Sequence, residues 1–160
     1  MSRRDQIWMT EDEVHDYLVE QRVINVATMG PKGRPHLAPL WYVPGKADDG
    51  SPRIETWTYG TSQKVANLRR LAEATVLVES GDSYERLRGV SLEADVEIID
   101  DTERTLRIGT DLMHRYTGGD AGFPPEATEF LRKQAVKRVG LVFTPTKIVS
   151  WDHSKLSGTY

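Results

Sequence analysis

The sequence predicts one α+β domain, mainly β, that is built on an antiparallel sheet or a small barrel. Six or seven extended segments are joined mostly by short turns, and three or four helical segments accompany them. The chain has 160 residues, which is enough for one hydrophobic core, and no repeat, linker or low-complexity tract divides it. We therefore expect residues 1–160 to form a single domain.

Composition excludes several classes of function. The formal net charge is -3, and the lysines and arginines are spread along the chain, so we expect no nucleic-acid partner. No apolar run approaches the length of a membrane span and the first residues lead into no signal-like core, so we expect a cytoplasmic protein without membrane contact. The absence of cysteine excludes disulfides, thiolate metal sites, iron–sulfur clusters and a cysteine nucleophile.

The N-terminal part of the chain predicts a helix followed by a β-hairpin. Thr10 and Glu13 have the spacing of a capping box, and the helix that they begin is expected to end near residues 21–22. Pro39 lies in the second strand of the hairpin, which indicates an edge strand or a bulge that turns side chains towards a ligand. The predicted strands are residues 23–29 and 36–43, with a turn at residues 30–35.

The rest of the chain predicts further strands, one helix between them and two helices after them. From Val90 to Ile98, apolar and polar residues alternate strictly, so we expect one face of that strand in the core and its carboxylates in solvent. Gly89 indicates a bulge or a close approach at its start. The other predicted elements are a surface loop at 44–52, strands at 53–59 and 74–79, helices at 101–116 and 126–137, a loop at 117–125 and closing strands at 139–143 and 146–151.

The segment from residue 59 to residue 70 predicts an anion site at the start of a helix. Thr61 is expected to be the N-cap, and the free N–H groups of the first turn together with the helix dipole favour negative charge. Lys64 falls on the apolar side of this helix, where a lysine requires a negative partner. The alternative is an ordinary amphipathic helix whose lysine extends to solvent. The polar residues of the site are Ser62, Gln63, Lys64 and Asn67, and the apolar stripe is Val65, Leu68, Leu71 and Ala72.

Aromatic residues on neighbouring strands are suited to a planar heterocycle. Trp41, Tyr42, Trp57 and Trp151 offer large flat surfaces, although each of them alone also fits a hydrophobic core. A phosphorylated, planar, redox-active cofactor would use the anion site and the aromatic side chains together, and its chemistry needs few protein side chains.

Other catalytic patterns are missing from the sequence. His15, His36, His114 and His153 lie far apart without the spacing of metal ligands, so we expect no metal site. The sequence has no nucleophile elbow of a serine hydrolase, and the glycines near residue 30 lie between strands, unlike those of a Rossmann fingerprint. We therefore assign no catalytic side chain.

Several motifs follow one another in a specific order. They are Gly-x-Pro-His-x-x-Pro-Leu-Trp-Tyr at residues 33–42, Ser-x-Lys-x-x-Asn-Leu at 62–68 and Leu-Arg-Gly-Val at 87–90. Their order resembles that of the pyridoxamine 5′-phosphate oxidase-like flavin-binding split β-barrels. The ending Val-Ser-Trp-Asp-His-Ser-Lys-Leu at 149–156 is similar to that of actinobacterial members, many of which use the deazaflavin coenzyme F420 in place of FMN.

The resemblance implies a split β-barrel of six strands with flanking helices, which forms a homodimer with two equivalent sites between the subunits. It implies that the segment of Ser62, Gln63, Lys64 and Asn67 holds the cofactor phosphate. The C-terminal end lacks the arginine-rich segment of the true pyridoxine-pathway oxidases, so we do not expect pyridoxamine phosphate as the substrate.

The resemblance also implies which strands lie beside the cofactor. The strand alongside the flavin ring would contribute Pro39, Leu40 and Trp41. The strand leading to the phosphate would contribute Thr56, Trp57 and Thr58. Trp151 and His153 would reach the site of the partner subunit.

One principal hypothesis and two alternatives follow. The principal hypothesis is an oxidoreductase that transfers a hydride between reduced coenzyme F420 and a small organic acceptor, with catalysis supplied mostly by binding geometry. The first alternative is an oxidoreductase of the same fold that uses FMN. The second is a non-catalytic protein that stores a flavin, a deazaflavin or haem, for which His36 or His153 would be the axial ligand.

Overall fold

Seven antiparallel strands form one sheet that curls into a split barrel. The computed structural model of the chain describes residues 3–118 and 122–156. The strands are β1 (Ile24–Met29), β2 (Pro35–Leu40), β3 (Val43–Lys46), β4 (Pro52–Tyr59), β5 (Glu73–Ser80), β6 (Arg88–Ile99) and β7 (Arg138–Asp152). The helices are α1 (Arg3–Gln6), α2 (Glu11–Glu20), α3 (Gln63–Arg70), α4 (Thr102–Thr117) and α5 (Pro125–Ala135), with single 3₁₀ turns at Tyr84–Arg86 and His153–Lys155.

The strand order brings the two edges of the sheet close together. The order is β2-β1-β5-β6-β7-β4-β3, so β2 and β3 are the edge strands. Only Trp41 and Tyr42 separate these two strands in the sequence, and so short a link holds the two edges side by side. The predicted α+β split barrel is confirmed.

The core lies inside this barrel, and α4 packs outside it. Residues of α2 and α3 fill the interior together with the inward faces of the strands. Helix α4 contacts β3, β4 and β7 and forms a second, smaller apolar cluster with them. The largest fully buried side chains include Tyr17, Tyr42, Phe143, Leu18, Ile24, Ile54, Leu68 and Leu92.

Several local predictions are confirmed. The capping box is present, since Glu13 N donates to Thr10 Oγ1 and Thr10 N donates to Glu13 Oε2. Pro39 lies on an edge strand, and β6 buries its apolar residues while its carboxylates are exposed. At Gly89 the close approach is that of the Trp151 ring, because a Cβ at this position would lie 2.2 Å from it.

The prediction for residues 36–52 was wrong in part. The extended segment breaks at Trp41 and Tyr42, where the chain passes from one edge of the sheet to the other. Residues 44–46 and 52 of the predicted loop at 44–52 belong to strands β3 and β4, because Pro44 and Gly45 pair with Ile54 and Arg53, and residues 47–51 connect the two strands.

The two predicted closing strands are one strand, β7. Pro145 does not end it, because the register shifts there: Ala94 pairs with Pro145 and Glu93 pairs with Lys147. Thr146 is the extra residue, and its Oγ1 donates a hydrogen bond to the Glu93 carbonyl at 3.1 Å.

Helix α3 begins one residue later than predicted. Its N-cap is Ser62 and not Thr61, because the chain first makes a turn in which Ser62 N donates to the Tyr59 carbonyl at 3.0 Å. Leu71 and Ala72 lie beyond the helix and are exposed, so the apolar stripe of α3 consists of Val65 and Leu68.

Some predictions fall on residues that the structure does not describe. These are residues 119–121 of the predicted loop at 117–125 and residues 157–160 at the C-terminus. In the part of the chain that is described, no helix is long and apolar enough to cross a membrane.

Candidate functional site

A cavity of about 260 Å³ lies where β2, β4 and α4 meet, and we call it the ring cavity. Residues predicted for the cofactor site form much of its lining, namely Pro39, Leu40, Trp41, Thr56 and Trp57. Gly109, Leu112, Met113 and Arg138 complete it. The cavity therefore brings together the strand that the resemblance assigned to the flavin ring and the strand that it assigned as leading to the phosphate.

The walls of the ring cavity are held by specific contacts. Thr56 Oγ1 donates a hydrogen bond to the Trp41 carbonyl at 2.6 Å, which ties β4 to the link between the sheet edges. The Trp41 ring stacks on Tyr116 of α4, and the exposed remainder of the indole is available to a planar ligand. Trp57 packs against α4 at Gly109, which has no side chain to separate them.

Arg138 places a cation at this cavity. Its guanidinium carbon lies 4.7 Å from the ring centroid of Trp57 and 4.1 Å from that of Tyr59. Its Nη2 contacts Gln134 Oε1 at 3.4 Å, and its buried Nε has no partner within the described residues. Because no carboxylate is present among the described residues that line the cavity, the guanidinium gives the cavity a net positive charge.

Lys64 lies at the start of α3 and contacts β4, one of the strands that line the ring cavity. Its Nζ donates to Thr58 Oγ1 at 3.2 Å, and this is its one polar partner among residues 3–118 and 122–156. Thr58 and Thr56 alternate on the same face of β4, so the lysine contacts the strand that lines the cavity. Burial lowers the pKa of the Lys64 ammonium, since no carboxylate offsets its partial removal from water.

The Ser62 hydroxyl is a further polar group at the start of α3, and it lacks a hydrogen-bond partner among the described residues. Although Ser62 is the N-cap of α3, its side chain does not cap the helix, and its Oγ is buried without a hydrogen-bond partner in the described structure. The first N–H groups of a helix also have no acceptor within the helix. The hydroxyl, the Lys64 ammonium and these N–H groups form a donor set that fits a phosphate or another anion.

Asn67 has a structural role in this group. Its side chain is fully buried, its Nδ2 donates to Thr28 Oγ1 at 3.1 Å, and its Oδ1 accepts from Gln63 Nε2 at 2.9 Å. These bonds join α3 to β1 and fix the first turn of the helix. That Asn67 contacts a cofactor stays a prediction.

Trp151 and His153 lie apart from both groups. They are at the far end of β7, whose other end carries Arg138. His153 Nδ1 lies 2.9 Å from the Tyr84 carbonyl, and the two rings meet edge to face. That these two residues reach the site of a second subunit stays a prediction. Within the described residues, no three His, Asp or Glu side chains are grouped to hold a metal ion.

The contribution of α4 and Arg138 was missed by sequence reasoning. Gly109 offered a signal, because a glycine inside an otherwise good amphipathic helix usually has a packing reason. Arg138 offered none, since its position over Trp57 and Tyr59 depends on the pairing of β4 with β7.

Comparison with known proteins adds the following. A family model described as pyridoxamine 5′-phosphate oxidase matches residues 10–152. A solved structure of a conserved hypothetical protein from Mycobacterium tuberculosis has 36% identity and a TM-score of 0.85, with 100% of this chain and 95% of that chain covered. Comparison with curated proteins finds no match.

Two more distant solved structures share the fold. An F420 reductase has 22% identity and a TM-score of 0.59, with 89% of this chain and 97% of that chain covered. A haem storage protein from Vibrio cholerae has 14% identity and a TM-score of 0.64, with 89% of this chain and 96% of that chain covered. At such identities these likenesses concern the fold alone.

Proposed function

This chain belongs to the pyridoxamine 5′-phosphate oxidase family, and from that membership we propose that it is an oxidoreductase with a phosphorylated flavin or deazaflavin cofactor. The observation that carries the proposal is the ring cavity, which is lined by two indoles. One of its strands, β4, is also contacted by Lys64, a partly buried lysine that has no carboxylate partner among the described residues. When bound, the cofactor supplies hydride transfer to or from a small organic acceptor.

The start of α3 would hold the cofactor phosphate. Lys64 provides the charge, the Ser62 hydroxyl provides a buried donor that has no other partner, and the first N–H groups of the helix provide the rest. Binding of an anion would also give the buried Ser62 hydroxyl and the first N–H groups of the helix an acceptor, which favours occupancy of this site.

The ring cavity would hold the planar part of the cofactor. Trp41 offers its exposed indole face, and the backbone of Pro39 and Leu40 borders the same space. Leu112 and Met113 of α4 exclude water from one side. An apolar enclosure with few polar groups is typical of sites for planar cofactors.

This chain would catalyse by positioning. The described residues that line the ring cavity include no carboxylate or histidine, so we assign no general acid or base. Orientation of two reactants at close range can supply a large part of the rate enhancement, and solvent can supply a proton.

We propose coenzyme F420 as the cofactor and FMN as the alternative. The test is a titration of cofactor-free protein with each compound, followed by ligand fluorescence or calorimetry. Binding of F420 alone supports the deazaflavin, and binding of FMN alone supports the flavin. If neither binds, the donor set at Lys64 is only the beginning of a helix and the proposal fails.

A non-catalytic storage role is the second candidate, and one observation favours including haem in it. Nδ1 of His36 is buried without a partner among the described residues, whereas Nδ1 of His153 contacts a carbonyl oxygen. A shift of the haem absorption band on mixing, lost in His36→Ala, would support haem binding. Faster reoxidation of a reduced bound flavin or deazaflavin by an added acceptor would favour catalysis.

We further propose that the protein is a homodimer. The outward face of β1, β2 and β5 carries few charges and exposes apolar side chains, including Leu37 with 65% of its surface accessible. A patch of this kind on a folded domain usually marks a contact surface. A second copy of the chain is the partner that we propose for this face, because the resemblance implies a homodimer with two equivalent sites between the subunits.

A further inference from the structure

A second cavity, of about 270 Å³, lies along β4 next to the ring cavity, and we call it the basic cavity. Strands β3 and β4 and the side chain of one α4 residue form it. Its lining consists of Val43, Pro44, Gly45, Lys46, Arg53, Glu55 and Arg107.

The basic cavity contains three cations and one carboxylate. Arg53 Nη2 lies 2.8 Å from Glu55 Oε1, and Arg107 Nη2 lies 3.8 Å from Glu55 Oε2. Lys46 has no ion pair within the described residues. Glu55 therefore orients two guanidinium groups without neutralising the cavity, which keeps two positive charges in excess.

One donor of this cavity has no partner. Arg53 Nε is buried and makes no hydrogen bond with any described residue. Gly45 pairs with Arg53 across the strands and puts no side chain over it, so the space remains open. The nearby Asp49 carboxylate is bound to Ser51 N at 2.9 Å and to Ser51 Oγ at 2.6 Å, and it does not line the cavity.

The two cavities are neighbours on one face of β4. Glu55 lines the basic cavity and Trp57 lines the ring cavity, and these residues are two positions apart on the strand, a spacing of about 7 Å. Lys64 is distinct from this set, because it bonds to Thr58, which faces the other side of β4. An acceptor that lay beside a cofactor ring in the ring cavity would thus have the guanidinium groups within reach of an anionic substituent.

We propose that the basic cavity binds a carboxylate or phosphate group of the organic acceptor, so that the preferred acceptors are planar anions. The inference rests on the proposed function, since it assigns the acceptor to the space beside the cofactor ring. A guanidinium group presents its N–H donors in a planar fork, which suits the two oxygens of a carboxylate or the oxygens of a phosphate.

The test compares two probes of the same shape, 2-naphthoate and its uncharged analogue 2-naphthamide. Both are titrated into cofactor-free protein and followed by tryptophan fluorescence. We expect naphthoate to bind about tenfold more tightly, because charge-assisted hydrogen bonds are the stronger ones. The double variant Arg53→Gln/Arg107→Gln should remove this preference, and Lys46→Gln should reduce it.

Arg104→Gln is the matched control. This arginine also lies on α4, but it pairs with Glu97 and does not line the basic cavity. It should keep the full preference for naphthoate. Equal binding of the two probes by the unmodified protein would overturn the proposal, as would a preference that survives in the double variant but disappears in Arg138→Gln or Lys64→Gln.

Cofactor titrations of the same samples separate this proposal from the proposed function. FMN and F420 should bind the double variant as tightly as they bind the unmodified protein. A loss of cofactor affinity in the double variant would assign the cavity to an anionic group of the cofactor and overturn the acceptor site. If neither cofactor binds any sample while naphthoate retains its preference, the proposed function fails and the anion subsite stands.

Discussion

Gly109 lies so close to Trp57 that a Cβ on the glycine would be 2.3 Å from the indole ring. This contact sets the distance between α4 and β4, and the ring cavity lies in the space that results. A glycine inside a helix normally lowers helix stability by up to about 1 kcal/mol. At residue 109 this loss accompanies the close approach of the Trp57 ring to the helix backbone. The width of the candidate site therefore depends on the absence of one methyl group.

We expect Gly109→Ala to displace Trp57 and weaken cofactor binding. Overpacking of this kind destabilises by about 1–3 kcal/mol, and the better helix propensity of alanine offsets part of that loss. Chemical denaturation would measure the stability change, and titration with FMN and F420 would measure the affinity. Gly122→Ala is the control, since a Cβ there meets no atom within 4 Å. Unchanged cofactor affinity in Gly109→Ala would remove Trp57 from the site.

We expect the ring of Tyr116 to support the Trp41 indole, and its hydroxyl to hold the backbone at Tyr42 and Arg22. The two rings are stacked with centroids 4.4 Å apart and an angle of 8°, while Tyr116 Oη accepts from Tyr42 N at 3.0 Å and donates to the Arg22 carbonyl. Tyr116→Phe should lower the free energy of unfolding by about 1–3 kcal/mol, because it leaves a backbone N–H without its partner.

The second variant separates the ring from the hydroxyl. Tyr116→Leu should weaken cofactor binding as well as stability, whereas Tyr116→Phe should keep the affinity near that of the unmodified protein. Calorimetric titration of both variants checks this expectation. Equal affinities in the two variants would mean that stacking on Trp41 does not contribute to the ring site.

The sequence predicts best where local patterns decide the structure. The alternation in β6 and the capping box at Thr10 depend on residues within one strand or one turn, and both are confirmed. The start of α3 was predicted to within one residue, because Ser62 and Thr61 are both good caps and only the preceding turn decides between them.

The sequence predicts the structure poorly where it depends on contacts between residues that are distant in the chain. Pro145 looked like the end of a strand, yet the register shift opposite Ala94 accommodates a residue without an N–H group. The division of residues 36–46 between two sheet edges depends on closure of the barrel. The role of Arg138 depends on its pairing with Tyr59, which places the guanidinium over two aromatic rings.

Leu37→Glu is expected to dissociate the proposed homodimer. A charge within an apolar contact surface would be desolvated without a partner, while the same residue on a free surface would change little. Sedimentation velocity would report the oligomeric state, and circular dichroism would confirm folding. Phe130→Glu on α5 is the control, because Phe130 is also apolar and 55% exposed but lies outside this sheet face. A monomeric unmodified protein would contradict the proposal.

We expect the affinity of the Lys64 site for an anion to decrease at alkaline pH, because the pKa of the Lys64 ammonium is lowered. The ammonium must be protonated to bind a phosphate, so the affinity for the cofactor should fall as pH rises through a pKa below the ordinary value of 10.5. The stability of the cofactor-free protein should change in the opposite sense. The unfolded chain binds the proton more tightly, so stability rises with pH between the folded and unfolded pKa values.

Lys64→Arg provides the decisive comparison for this titration. The guanidinium stays protonated above a pH of about 12, so the variant should bind the cofactor with no such decline between about pH 7 and about pH 10. Lys64→Gln should weaken binding by about 1–3 kcal/mol at neutral pH, the contribution of a charge-assisted hydrogen bond. If the decline with pH is the same in Lys64→Arg as in the unmodified protein, another group carries the titration, and the phosphate is not bound by Lys64.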